Sequence, residues 1–90
     1  MATLRDRRLG LKHPIVVEMS REGDVFVASS AEFEEFGEGS TRGEAIADLQ
    51  RCVAELYIGL EQAGDALGSD LMAMRERLRD AIEVRYTLAA

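Results

Sequence analysis

The first run of β-branched residues in the chain is typical of β-structure. Residues 14–19, PIVVEM, begin with a proline, which a strand tolerates at its start, and continue with three β-branched residues. A second apolar run, VFVA, occupies residues 25–28, and the glycine-containing segment SREGD separates the two runs. This arrangement predicts a β-hairpin.

Both faces of the predicted hairpin carry apolar side chains. Side chains alternate between the two faces along a strand. In the first strand one face carries Ile15, Val17 and Met19, and the other carries Val16 and Glu18. In the second strand one face carries Val25 and Val27, and the other carries Phe26 and Ala28. One helix covers only one face of a small sheet. We therefore expect the other face, or an exposed edge, to bind a second element or a second chain.

A third, shorter strand is predicted within residues 32–39, EFEEFGEG. Phe33 and Phe36 are its apolar anchors among four glutamates, while Gly37 and Gly39 limit its length. We expect this acidic strand to lie at an edge of an antiparallel sheet.

The sequence then changes to a helical period. Thr41 and Glu44 match the capping box, in which the threonine hydroxyl accepts a bond from the amide three residues later and the glutamate bonds the N–H of the cap. Gly64 is suited to end this helix. Apolar residues at spacings of three or four predict its buried stripe: Ile46, Leu49, Val53, Leu56, Tyr57 and Leu60.

A second helix is predicted over residues 70–86, with Ser69 as its N-cap. Its apolar residues at helical spacing are Leu71, Met74, Leu78 and Ile82. Residues 82–88, IEVRYTL, also alternate as a strand does. The helix is favoured because no Gly, Pro or Asn interrupts residues 79–86.

These elements predict one α+β domain over residues 1–90, with the order β-β-β-α-α. A three-stranded antiparallel sheet carries the main helix on one face, and the second helix closes the structure or joins two protomers. A chain of 90 residues buries only a modest core, which a partner would enlarge. The basic segment 1–13 is interpreted as a solvated or frayed end.

Composition favours the cytosol. No apolar run approaches the roughly 20 residues of a membrane span, and the N-terminus lacks the apolar stretch of a signal peptide. Cys52 is the only cysteine and can form no internal disulfide. With one histidine and one cysteine the chain cannot form a zinc site of the usual kind, and we expect neither a metal nor a cofactor.

The net charge of -6 is distributed unevenly along the chain. Residues 1–13 carry +3, residues 14–70 carry -10 and residues 71–90 carry +1. A body this acidic repels phosphate backbones and favours a basic protein partner, because nucleic-acid binding depends on Lys and Arg. We therefore expect no direct nucleic-acid binding.

The residues with catalytic potential are isolated from one another. Glu18 could serve a nuclease that binds Mg²⁺, but the sequence places no second carboxylate beside it. His13 has no nucleophile at a matching spacing. The glutamates of residues 32–38 lack the Asp- and Asn-rich pattern of a calcium loop, and Cys52 in mid-helix is more typical of a structural thiol. The expectation is a protein without enzymatic activity.

The junction between the sheet and the main helix has a distinctive pattern. Gly39, Thr41, Glu44 and Ala45 fill a G-x-T-x-x-E-A motif, and Tyr57 lies near the helix end. The motif follows the hairpin IVVEMSREGDVFVA, in which Glu18 lies three residues after Ile15. Over residues 14–65 this order resembles the N-terminal domain of HicB-like antitoxins. The DNA-binding C-terminus usual in that family has no counterpart here, so we expect a stand-alone domain.

The resemblance implies a partial ribonuclease H-like fold that neutralises a HicA-like toxin, a small basic ribonuclease. We select Phe33, Phe36, Glu34 and Glu35 as candidate partner-contact residues, because the two phenylalanines stand among carboxylates on the predicted edge strand.

The alternative function is that of a homo-oligomeric structural or regulatory protein with no toxin partner. With either function we expect a homodimer or higher homo-oligomer. Met72 and Met74 fit a partner-binding stripe, a plain core or a dimer face equally well.

Overall fold

The computed structural model describes residues 1–85 and contains two α-helices and five short strands. In chain order they are β1 (Leu9–Leu11), β2 (Glu18–Glu22), β3 (Val25–Ser30), β4 (Glu35–Gly39), α1 (Arg42–Ala63), α2 (Ser69–Ala81) and β5 (Ile82–Val84), with a short 3₁₀ turn at Gly64–Ala66. The predicted α+β class is confirmed, but two strands were not predicted: β1 lies before the hairpin, and β5 occupies residues predicted to be the end of the second helix.

The larger sheet is antiparallel, with the strand order β2-β3-β4. The hairpin between β2 and β3 closes through two residues, because Glu22 pairs with Val25 across Gly23 and Asp24. Gly23 has a φ of 61°, and no positive φ is found at Asp24. This combination is typical of a type II′ turn, which glycine favours at its first position. The predicted hairpin is confirmed, but its first strand lies later than expected, at Glu18–Glu22 rather than from residue 14.

Helix α1 packs on β3 and β4 at van der Waals distance. A Cβ added to Gly37 would meet the backbone of Leu49 and Ala45, and one added to Gly39 would meet Glu44 and Ala45. Both glycines therefore permit a close approach that no other residue allows. The core is formed by buried apolar residues, and the largest of those that are almost completely inaccessible to solvent are Phe33, Leu9, Ile15, Leu49, Leu78 and Val53.

The predicted ends of α1 are confirmed. The Thr41 hydroxyl accepts a hydrogen bond from the Glu44 N–H at 3.1 Å, and Gly64 ends the helix with a φ of 61°. The carboxylate of Glu44 bonds the N–H and hydroxyl of Ser40, one residue before the expected cap N–H. Of the predicted stripe, Leu49, Val53, Tyr57 and Leu60 are buried, while Ile46 and Leu56 are partly buried.

Residues 1–13 are not frayed in the structure, although their basic side chains are exposed, as the solvated alternative predicted. Leu4 and Leu9 are buried, and β1 pairs antiparallel with β5. Met1 exchanges two backbone hydrogen bonds with Ile15, both of 2.8 Å. The segment is ordered because its leucines join the core, which its arginine-rich sequence conceals.

The second helix is shorter than predicted. Its N-cap is Gly68 rather than Ser69, and it ends at Ala81 instead of continuing to about residue 86. Ile82–Val84 forms a strand because its backbone bonds pair with Leu9–Leu11, a contact between distant parts of the chain. Residue 86, the last of the predicted helix, lies outside the described residues, as do residues 87–90.

The close contact of α1 with β4 can be tested at Gly37. Replacing Gly37 with alanine should destabilise the fold by about 1–3 kcal/mol, since the new methyl group meets backbone atoms that cannot rotate away. Gly59→Ala is the matched control: Gly59 lies within α1 and faces open space, so alanine should stabilise by about 0.5–1 kcal/mol. Urea denaturation of both variants measures the difference, and an equal effect of the two substitutions would contradict the close packing.

Candidate functional site

One face of the larger sheet is left uncovered by α1. The side chains of Ala28 and Ser30 are buried, and Gly37 touches α1, so these positions face the helix. The residues that alternate with them along the three strands therefore project away from the helix. Directly paired residues in an antiparallel ladder share a face. The uncovered side, which we call the outer face, consists of Glu18, Ser20, Glu22, Val25, Val27, Ser29, Phe36 and Glu38.

The outer face carries large apolar side chains in contact with solvent. Phe36 is 58% exposed and Val25 is 40% exposed. Val27 adds a further apolar side chain to this face on the central strand. Val16, which lies just before β2, is 81% exposed. A scattered exposed valine needs no explanation, but an exposed phenylalanine on a sheet beside other apolar groups marks a candidate interaction surface.

All charges on the outer face are negative. Glu18 lies in one row across the sheet with Ser29 and Phe36, while Glu38 pairs with Val27 in the next row. Glu22 pairs with Val25. Each apolar residue of this face therefore has a carboxylate in its own row, without a Lys or Arg among the eight positions.

The basic groups near the sheet lie on its other side. The guanidinium carbons of Arg21 and Arg42 lie 5.5 and 5.1 Å from the ring centre of Phe26, which faces α1. These distances allow cation–π attraction. Basic groups therefore lie on the helix side of the sheet, together with Glu35, whereas the eight outer-face positions carry carboxylates as their only charges.

The edge of the sheet at β4 is bonded to α1. The Glu38 N–H, which points away from β3, donates to the Asp48 carboxylate at 2.9 Å, and the Ser40 N–H donates to Glu44 at 2.9 Å. Arg51 also donates to Asp48, at 2.6 Å. These bonds satisfy backbone donors that an edge strand otherwise presents to other chains.

The four predicted contact residues divide between two places. Phe33 is 1% exposed and belongs to the turn before β4, where its N–H donates to the Ser30 hydroxyl at 3.3 Å. Phe33 is therefore a core residue that offers almost no surface to a partner, and its burial argues against the predicted contact. Phe36 lies on the outer face, and its role in binding stays a prediction.

Glu34 and Glu35 lie beside α2 instead of on the outer face. They border a groove of about 200 Å³ lined also by Phe33, Leu56, Asp70, Leu71 and Met74. Glu34 has a φ of 53°, which turns the chain into β4. Partial burial raises the pKa of the Glu35 carboxyl. Their predicted role in partner contact remains a prediction, at a place separate from Phe36.

A second cleft of about 520 Å³ separates the N-terminal segment from α1. Three arginines border it, but Arg8 is paired with Asp6 at 2.9 Å, and Arg51 is paired with Asp48 and Glu55. The cleft is therefore close to internally neutralised and has no strong attraction for an anion.

The other sequence candidates stay apart from one another. Glu18 is exposed on the outer face, and His13 lies 3.7 Å from Glu32 at the surface. Burial raises the pKa of the Cys52 thiol, so a smaller fraction of it is present as the reactive thiolate. Met74 is buried while Met72 is exposed. Within residues 1–85, no three His, Cys, Asp or Glu side chains are grouped as metal ligands would be.

No family model matches the chain, and neither the characterised proteins nor the solved structures include a match to it. Among the described residues, neither helix combines the length and apolar character needed to cross a bilayer.

Glu22 and Glu38 were not among the partner-contact residues predicted from the sequence. Their places depend on the register of the strands. The two-residue turn at Gly23 and Asp24 determines the register of Glu22, and the Gly-Asp pair is a recognisable signature of such a turn.

Lowering the pH should destabilise the fold in part through Asp48. The pKa of Asp48 lies below its ordinary value, chiefly because the carboxylate accepts the Glu38 N–H and secondly because it bonds Arg51. The charged form therefore stabilises the folded chain above the unfolded-state pKa, and this contribution is lost as the pH falls through the lower folded-state pKa. Urea denaturation from about pH 5 to about pH 2 should show a smaller loss of stability in Asp48→Asn.

Glu55→Gln is the matched control, since Glu55 accepts a hydrogen bond from the same Arg51 at 2.9 Å but does not bond Glu38. We expect it to retain the wild-type pH dependence. An Asp48→Asn protein whose stability falls with pH as steeply as the wild type would show that the bond to β4 has no such effect.

Proposed function

We propose that this chain is a non-catalytic protein-interaction module that binds a small basic protein on the outer face of its sheet. The observation that carries the proposal is the exposure of Phe36 and Val25 on a face whose only charges are those of Glu18, Glu22 and Glu38. Apolar anchors supply binding energy, and carboxylates around them select a partner of opposite charge.

Charge favours a basic partner over a second copy of the chain. Two outer faces placed together would bring six carboxylates into one interface with no Lys or Arg from either face to compensate them. The face of a basic protein would instead pair with these groups and accelerate association by attraction at a distance. The homo-oligomeric alternative is therefore less well matched to this surface.

The resemblance to HicB-like antitoxins gives the proposal a concrete form. A hairpin, a third antiparallel strand and a helix that covers one face are compatible with the partial ribonuclease H-like fold of that family, and Thr41 and Glu44 cap the helix at the matching junction. In this form the partner is a HicA-like toxin, a small basic ribonuclease, which the chain neutralises by binding in the cytosol.

Substitution of Phe36 tests the binding surface. The chain is purified from its native cells under mild conditions, the partner is identified by mass spectrometry, and the complex is reconstituted from purified proteins. We expect a small basic partner whose Kd rises roughly 30-fold, or about 2 kcal/mol, in Phe36→Ser, because the ring is the largest exposed apolar group of the face.

Met72→Ser is the matched control, because Met72 is 44% exposed on α2 and does not belong to the outer face. It should bind within a factor of about two of the wild type. Binding should also weaken with added salt, as expected of pairing with carboxylates. A chain that is purified alone, or a partner that binds Phe36→Ser as tightly as the wild type, would refute the proposal.

A further inference from the structure

The two edges of the larger sheet differ in the hydrogen-bond partners of their outward-pointing backbone groups. At β4 the outward N–H of Glu38 is occupied by Asp48, and α1 packs so closely on Gly37 that no space for a methyl group remains. A strand placed beside β4 would have to avoid the flank of this helix. Within residues 1–85 no strand pairs with the outer edge of β2, and none of its five residues is buried.

The register identifies the free groups of β2. In a two-residue hairpin the residues that flank the turn, here Glu22 and Val25, exchange both backbone hydrogen bonds. The bonded pairs then alternate along the ladder, so Ser20 and Glu18 also bond β3. The N–H and C=O groups of Met19 and Arg21 consequently point outwards, where they can bond a further strand.

We infer that this edge receives a strand of the basic partner, which extends the sheet from three strands to four. The inference rests on the proposed function and specifies how the partner binds. In an antiparallel arrangement, partner residues opposite Met19 and Arg21 form the backbone bonds, and those opposite Glu18 and Glu22 project onto the outer face. The matching strand therefore carries Lys or Arg at two positions four residues apart.

A second copy of the chain does not match this edge. In the antiparallel register that pairs all five residues of β2 with themselves, Ser20 lies on the two-fold axis and Glu18 lies opposite the other copy's Glu22. Like charges directly opposite across a ladder are destabilising. A basic strand replaces both repulsions with attractions.

The probe for this edge is a blocked heptapeptide, Thr-Lys-Val-Thr-Val-Lys-Thr, added to the full-length protein and followed by backbone NMR. Its lysines would lie opposite Glu18 and Glu22, and its valines opposite Met19 and Arg21. We expect saturable shifts of the Met19 and Arg21 amides. Replacing both lysines with glutamate should remove binding at the same concentrations.

Methylation of peptide nitrogens separates strand addition from simple attraction between charges. N-methylation of the two valines removes the donors to β2 and should weaken binding at least about ten-fold, since two hydrogen bonds are lost. N-methylation of the central threonine removes only an N–H that points away from β2, and binding should change by less than about three-fold. Equal effects of the two methylations would overturn the inference.

Arg21→Pro tests the same edge from the side of the protein. Proline removes the outward N–H of Arg21 and is tolerated on an edge strand, whereas Arg21→Ala removes only the side chain. With thermal denaturation showing both variants folded, the peptide should bind Arg21→Pro roughly 3- to 10-fold more weakly than Arg21→Ala, since one hydrogen bond is lost. If Arg21→Pro does not fold, the methylated peptides decide the question on the wild-type protein.

Two results would count against the inference without touching the proposed function. One is the absence of peptide-induced shifts in β2. That result leaves the proposed function intact, because the function is tested separately by the binding of Phe36→Ser to the native partner. The other is a wild-type dimer that Arg21→Pro converts to a monomer, which would assign the edge to a second copy of the chain.

Discussion

The contact between α1 and the glycines of β4 is the constraint on which the rest of the structure depends. Gly37 and Gly39 let the helix backbone lie against the strand, and Leu49 and Val53 are fully buried there. A single helix seated this closely buries one face of the sheet and bonds one of its edges through Asp48. The opposite face and the β2 edge are left to solvent because the described chain has no second layer to place over them.

Charge follows the same division of the sheet. Arg21 and Arg42 lie against Phe26 on the helix side, whereas the outer face has only glutamates among its charged residues. Under the proposed function, the carboxylates around Phe36 disfavour contact between identical chains, and Phe36 serves as the apolar anchor for a partner of opposite charge.

Local patterns predicted the parts of the fold that local interactions determine. The hairpin follows from the glycine turn at Gly23, and α1 from Thr41, Gly64 and its apolar stripe. The strand at Ile82–Val84 could not be predicted with the same ease, because its pairing with Leu9–Leu11 joins distant parts of the chain. Phe33 and Phe36 have similar neighbours in sequence, but a turn places the first in the core and the strand pleat places the second in solvent.

The most direct test of the central claim measures which side chains of the sheet meet solvent before and after the partner binds. A soluble paramagnetic agent broadens the NMR signals of accessible groups, so it can be applied to the protein alone and to its native complex. The expected result is strong broadening of Phe36 and Val25 in the free protein, none at Leu49, and loss of the broadening at Phe36 and Val25 in the complex. Protection of Phe36 in the isolated protein at low concentration, or unchanged broadening in the complex, would contradict an open outer face that serves as the binding surface.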